Sequence, residues 1–99
     1  TMTPEQKKLN MLGLANRSGN LISGDELVEK AIKRGRVALV ICAQDVSDAT
    51  RARYQDWSQR YHVPLEMTFN REQISHAVGK TRSIVAITNQ GMAKTYLSY

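Results

Sequence analysis

The chain has 99 residues, 41% hydrophobic and 23% charged, with 14 Lys+Arg against 9 Asp+Glu and a net charge of +5. That length suits one domain spanning residues 1–99, and the ordinary apolar share excludes a disordered chain. A lone cysteine, Cys42, excludes an internal disulfide framework, and no apolar run approaches the roughly 18 residues of a spanning helix.

With no charged-then-apolar leader either, a soluble cytoplasmic protein is expected. The positive balance favours anionic partners such as RNA, DNA or an acidic membrane surface. The cations are clustered: Lys30, Lys33, Arg34 and Arg36 along one segment, Arg51 and Arg53 in another, Lys80 and Arg82 in a third.

Thr3-Pro4-Glu5-Gln6 predicts a helix start, with Thr3 as N-cap, Pro4 at the first helical position and Gln6 closing a capping box. Leu9, Leu12 and Ala15 give it an apolar stripe, and Gly19 suits its stop. A short strand is expected at Leu21-Ile22. Ser23 or Gly24 then caps a second helix, with Asp25 and Glu26 in its first turn and Lys33 and Arg34 in its last, as the helix dipole prefers. Leu27, Val28, Ala31 and Ile32 are expected on its buried face, with Gly35 ending it. Val37 to Cys42 reads as a central strand, apolar on both faces and therefore covered on both sides.

Ser47 caps a third helix through about Tyr61, on which Tyr54, Trp57 and Tyr61 recur at helical spacing and are expected to pack on the sheet. Leu65 to Phe69 predicts a strand placed at an edge by Pro64, which cannot donate to a ladder. Asn70 with Gln73 caps a short fourth helix ending at Gly79, Ile84 to Thr88 is another buried strand, and a helix around Gln90 to Leu97 closes the chain. Helices and strands thus alternate throughout, which predicts a three-layer α/β/α sandwich with a four-stranded, mainly parallel or mixed sheet.

No enzymatic constellation emerges. Gly79-Lys80-Thr81 has the tail of a phosphate-binding loop, but Ile74 stands where the first glycine is needed, and a helix precedes it instead of a strand. His62 and His76 stand alone, so no metal cluster forms, and no cofactor is expected. Asp45, just past the central strand, reads equally as a functional carboxylate or a loop cap. What remains is a basic surface and the Ser23-Gly24 helix start, whose amides suit an acceptor. Asp25 and Glu26 repel phosphate there but can accept hydrogen bonds from base amino or imino groups, with Lys30 one to two turns on. A routine capped helix fits the same residues.

Several segments in order, Leu14 to Gly19, Ser23 to Ile32, Arg34-Gly35, Ala43-Gln44-Asp45, Val63-Pro64 and Ala77 to Arg82, give the chain a resemblance to a known family. It resembles the ribosomal protein L7Ae family of kink-turn RNA binders, and within it the small bacterial YlxQ-like group. The resemblance implies an α/β/α sandwich that docks a helix start on RNA where a bulge beside tandem G·A pairs bends the duplex. Such a kink opens a groove that regular A-form RNA keeps too narrow to read.

The family's reading motif is Gly, any residue, Asn-Glu, two residues, then Lys. Gly24 and Lys30 match it, while Glu26 stands for the Asn and Leu27 for the Glu. In the loop before the last strand Arg82 matches, while Lys80 replaces an apolar residue, and Arg51 falls where an aliphatic contact belongs.

The expected interface is therefore Ser23, Gly24, Asp25, Glu26, Lys30, Lys33, Arg34, Arg51, Lys80, Thr81 and Arg82. Gly24 would allow backbone approach, Glu26 with Asp25 would meet base edges, and the cations would meet phosphates. The expected partner is structured, kink-turn-like RNA, with ribosomal RNA or the ribosome among the candidates. No membrane partner, a monomer and no catalysis complete the expectation. The alternative is a translation or transcription accessory that binds protein and no longer reads kink-turns.

Overall fold

The computed structural model describes residues 1–99. Five helices and four strands alternate: α1 (Pro4–Arg17), β1 (Leu21–Ser23), α2 (Asp25–Lys33), β2 (Leu39–Cys42), α3 (Asp48–Arg60), β3 (Leu65–Glu66), α4 (Arg71–Val78), β4 (Ile84–Ile87) and α5 (Gln90–Ser98). Local chemistry sets most of the helix starts. Thr3 and Asn70 form complete capping boxes with Gln6 and Gln73, and Ser47 and Asn89 accept from the third residues of α3 and α5. Gly79 ends α4 in the left-handed conformation, as a glycine C-cap does.

The strands form one sheet in the order β1-β4-β2-β3. β4 runs antiparallel to both β1 and β2, and only β2 and β3 are parallel. The sheet is therefore mixed, as expected, although most of its pairing is antiparallel. β3 lies at the edge. It is shorter than the expected Leu65 to Phe69, because the chain leaves the sheet after Glu66 and turns Phe69 into the core. Gln44 holds it there: its backbone N–H donates to the Phe69 carbonyl at 2.9 Å and its side chain to the Thr68 carbonyl at 2.8 Å.

The central strands are buried at every position. Their alternation feeds two cores. Leu39, Ile41, Val85 and Ile87 pack beneath Leu12 and Ala15 of α1, Ile74 and Val78 of α4, and Ala93 and Tyr96 of α5. Val40, Cys42, Ile84 and Ala86 pack beneath Val28, Ala31 and Ile32 of α2 and Tyr54 and Trp57 of α3. This is the expected three-layer arrangement, with α1, α4 and α5 on one face and α2 and α3 on the other. No helix is long and apolar enough to cross a membrane.

Two expectations about side chains are corrected. Leu27 is not core: it is 57% exposed, because the buried stripe of α2 runs through Val28, Ala31 and Ile32 and leaves the preceding position facing outward. Tyr61 caps the end of α3 at the surface instead of packing on the sheet with Tyr54 and Trp57.

Candidate nucleic-acid interface

The strand register gathers most of the expected residues at one end of the sheet. Ser23 pairs with Val85, Cys42 with Ile84 and Ile41 with Glu66, so β1, β2 and β3 end where β4 begins. The connections leaving these strands, together with the loop Gly79–Ser83 entering β4, share that edge. The crevice outside the carboxyl ends of strands is a common place for ligands in α/β folds.

The start of α2 follows β1, an outer strand of the sheet, beside the loop that enters β4. Gly24, not Ser23, is its N-cap, which corrects one of the two options the sequence left open: Ser23 ends β1 and caps nothing. Gly24 sits at φ 101° and ψ 142°, a backbone region open essentially to glycine alone. Its N–H donates to the Ile84 carbonyl at 2.9 Å, which ties the turn to β4. α2 is the one helix of the five with no side-chain cap. The amides of its first turn, at the positive end of its dipole, therefore have no side-chain acceptor.

The two first-turn acids behave differently. Asp25 is bound into the fold: the Tyr54 hydroxyl donates to Oδ1 at 2.5 Å and Arg53 Nη2 donates to Oδ2 at 2.8 Å. Burial, followed by this hydrogen bond, pushes the Tyr54 hydroxyl well above the usual phenol range, so it stays a donor. Asp25 thus joins α2 to α3, and its oxygens already have partners. Glu26 is 84% exposed at its side chain and lies 3.4 Å from Lys30 Nζ. A pair this exposed contributes little and exchanges readily for other partners.

Arg82 reaches the same place from the opposite loop. Its Nε donates to Ser23 Oγ at 3.3 Å and its Nη1 to the Thr81 carbonyl at 2.8 Å. Lys80 and Thr81 are exposed at the loop tip, where they line a groove of about 700 Å³ with Asp45, Arg71, His76 and Gly79. Asp45 resolves to the capping option, accepting the Arg71 backbone N–H at 2.9 Å.

Two expected residues are not gathered there, and a third is held in the fold. Lys33 and Arg34 stand at the far end of the nine-residue α2, on the order of 13 Å from its start at the helical rise. Lys33 pairs with Glu29 at 2.9 Å and lies over the Trp57 ring. Arg51 donates from Nη2 to the Gln44 carbonyl at 2.6 Å and so anchors the turn after β2. Sequence reasoning missed Arg53, the Tyr54 hydroxyl and Ser75, whose partners lie 28, 29 and 7 residues away. Helical spacing placed Tyr54 in the core, where its ring does pack, but no local pattern points to the carboxylate its hydroxyl reaches.

Together these elements form an α/β/α sandwich whose second helix starts uncapped at a glycine, beside a loop that carries Lys80 and Arg82. The sequence pattern of the Ribosomal protein L7Ae/L30e/S12e/Gadd45 family matches residues 6–96, and the chain belongs to that family. It is 37% identical over 89 residues to the Enterococcus faecium protein named RNA-binding protein YlxQ, covering 90% of this chain and 86% of that one. It is equally identical over 89 residues to the Bacillus subtilis (strain 168) protein of the same name, covering 89% of each.

Among solved structures, a protein of unknown function from Bacillus halodurans superposes with a TM-score of 0.89 at 32% identity, covering 93% of this chain and 94% of that one. The Giardia lamblia 15.5kD RNA binding protein superposes with a TM-score of 0.82 over 99% of this chain and 88% of its own; at 16% identity this likeness concerns the fold.

Proposed function

We propose that the chain is a cytoplasmic RNA-binding protein, acting as one domain over residues 1–99, that takes bent, kink-turn-like RNA at the start of α2 and the loop Gly79–Ser83. The observation that carries this reading is the placement of the Arg82 guanidinium at Ser23, beside the uncapped first turn of α2. Backbone amides there suit acceptor atoms on a base edge, and Glu26 suits base amino groups. Lys30, Arg82 and Lys80 suit phosphates on either side. A bare phosphate fits less well, because Glu26 stands at the same turn. The names of the two YlxQ relatives support RNA as the ligand. Ribosomal RNA, or the ribosome itself, is a natural source of such bends.

The test is titration of a fluorescently labelled hairpin containing a kink-turn, alongside the same hairpin with its bulge deleted, between about 50 and 200 mM salt. The kink-turn is expected to bind more tightly. Lys30→Ala with Arg82→Ala is expected to weaken binding and lower the salt slope by roughly 1.4–1.8, the value for two lost phosphate contacts. Unchanged affinity and slope in the double variant would sink this assignment of the surface.

A further inference from the structure

We infer that Ser75 and Ser23 are positioning residues that hold the Arg82 guanidinium in place for an RNA phosphate; this rests on the RNA-binding reading above. The Ser75 hydroxyl contacts Arg82 twice, accepting its backbone N–H at 2.9 Å and donating to its carbonyl at 3.1 Å. The Gly79 N–H returns to the Ser75 carbonyl at 2.9 Å, so the loop leaves and re-enters at one residue of α4. On its far side the Ser83 carbonyl accepts the Ala43 N–H at 2.8 Å, which fixes the loop to the end of β2. The backbone that carries Arg82 is therefore held from both directions, while Lys80 and Thr81 stay exposed.

The side chain is then aimed by neutral oxygens. Nε donates to Ser23 Oγ and Nη1 to the Thr81 carbonyl. A guanidinium has five N–H groups. With two engaged, three remain for an incoming acceptor. Arg82 forms no ion pair, whereas Lys30, Lys33, Arg53 and Arg60 are each matched to a carboxylate. A hydroxyl and a carbonyl orient a cation without neutralising it, so Arg82 keeps its full charge for the ligand. Helix formation alone does not explain Ser75, since alanine is the better residue in a helix interior. Its hydroxyl acts on the loop. Pre-ordering a rotamer-rich side chain strengthens binding by about two- to tenfold.

A double-mutant cycle on the labelled kink-turn hairpin tests this. Ser75→Ala is expected to weaken binding by about two- to tenfold in the wild-type background and by less than about twofold when Arg82→Ala is already present. Equal losses in both backgrounds would mean a general structural effect and would overturn the inference, as would no loss at all. Should Ser75→Ala fail to fold, Ser23→Ala enters the same cycle with the same outcomes. An RNA-free measurement separates this inference from the reading it rests on. The Arg82 Nε–H is expected to exchange slowly with solvent by NMR, and faster in Ser23→Ala and Ser75→Ala. Wild-type protein that ignores the hairpin would sink the RNA-binding reading alone. Equal Nε–H exchange in wild type and both serine variants would sink the brace.

Discussion

Replacing Tyr54 with Phe isolates the contact that joins α2 to α3. The ring stays in place, since it is 1% exposed and stacks edge-on against Trp57 with centroids 5.1 Å apart. What disappears is the hydroxyl that donates to Asp25 Oδ1. A hydrogen bond to a charged group contributes about 1.5–3 kcal/mol. The lower end applies here, because Asp25 is not stranded: its side chain is 47% exposed and Arg53 stays 2.8 Å away.

The expected loss is about 1.5 kcal/mol, which for a domain of this size lowers Tm by about 6–12 °C. Urea unfolding followed by fluorescence of Trp57, the single tryptophan, measures it. The same change in an Asp25→Ala background is expected to cost less than about 0.5 kcal/mol, since the hydroxyl then keeps only the backbone carbonyl of residue 25, a long contact at 3.4 Å. A Phe variant within about 0.5 kcal/mol of wild type would refute the reasoning, as would an equal cost in both backgrounds.

Gly24→Ala is expected to cost about 1–3 kcal/mol from backbone strain alone, because the added Cβ meets nothing within 4 Å; a melting temperature equal to wild type contradicts the assigned φ. Leu27→Gln is expected to change stability by less than about 0.5 kcal/mol, since Leu27 faces solvent, and a loss above about 2 kcal/mol would return it to the core. Stability is also expected to fall in alkali. Burial pushes the Cys42 thiol up to about 11 from an ordinary 9.0 and raises the Tyr54 and Tyr96 hydroxyls above the usual phenol range. For groups raised in the fold, the contribution is complete below the ordinary value and disappears as pH rises through the raised one. Urea midpoints should therefore decline from roughly pH 9 upward, and equal midpoints at about pH 8 and pH 10.5 would contradict the burial of these groups.

Much of the architecture was legible in the chain because the signals are local. Thr3 with Gln6 and Asn70 with Gln73 mark helix starts within four residues of sequence. The runs through Leu39–Cys42 and Ile84–Ile87 declare strands covered on both faces. Alternation of helix and strand then leaves few arrangements other than a three-layer sandwich. The spacing of the family motif also marked Gly24 and Lys30 as candidates for the proposed site.

Tertiary structure decided the rest. Hydrophobicity within α2 does not separate Leu27, which is exposed, from Val28, which is buried; which face of the helix lies against the sheet does that. Ser23 and Arg82 are 59 residues apart and Asp25 and Tyr54 are 29 apart, so no periodicity could pair them. Strand register brings Ser23 near Arg82, and the packing of α2 and α3 on one face of the sheet brings Asp25 to Tyr54. The length of α2 leaves Lys33 and Arg34 at its other end, although they are neighbours of Lys30 in sequence. The helix start that the sequence marked as a capped turn is, in the fold, a glycine turn with uncapped amides. One of its acids is bound to α3, and the other is exposed beside Lys30. Which groups face a ligand and which hold the fold together depends on partners distant in sequence, and only the packed chain brings those within hydrogen-bonding range.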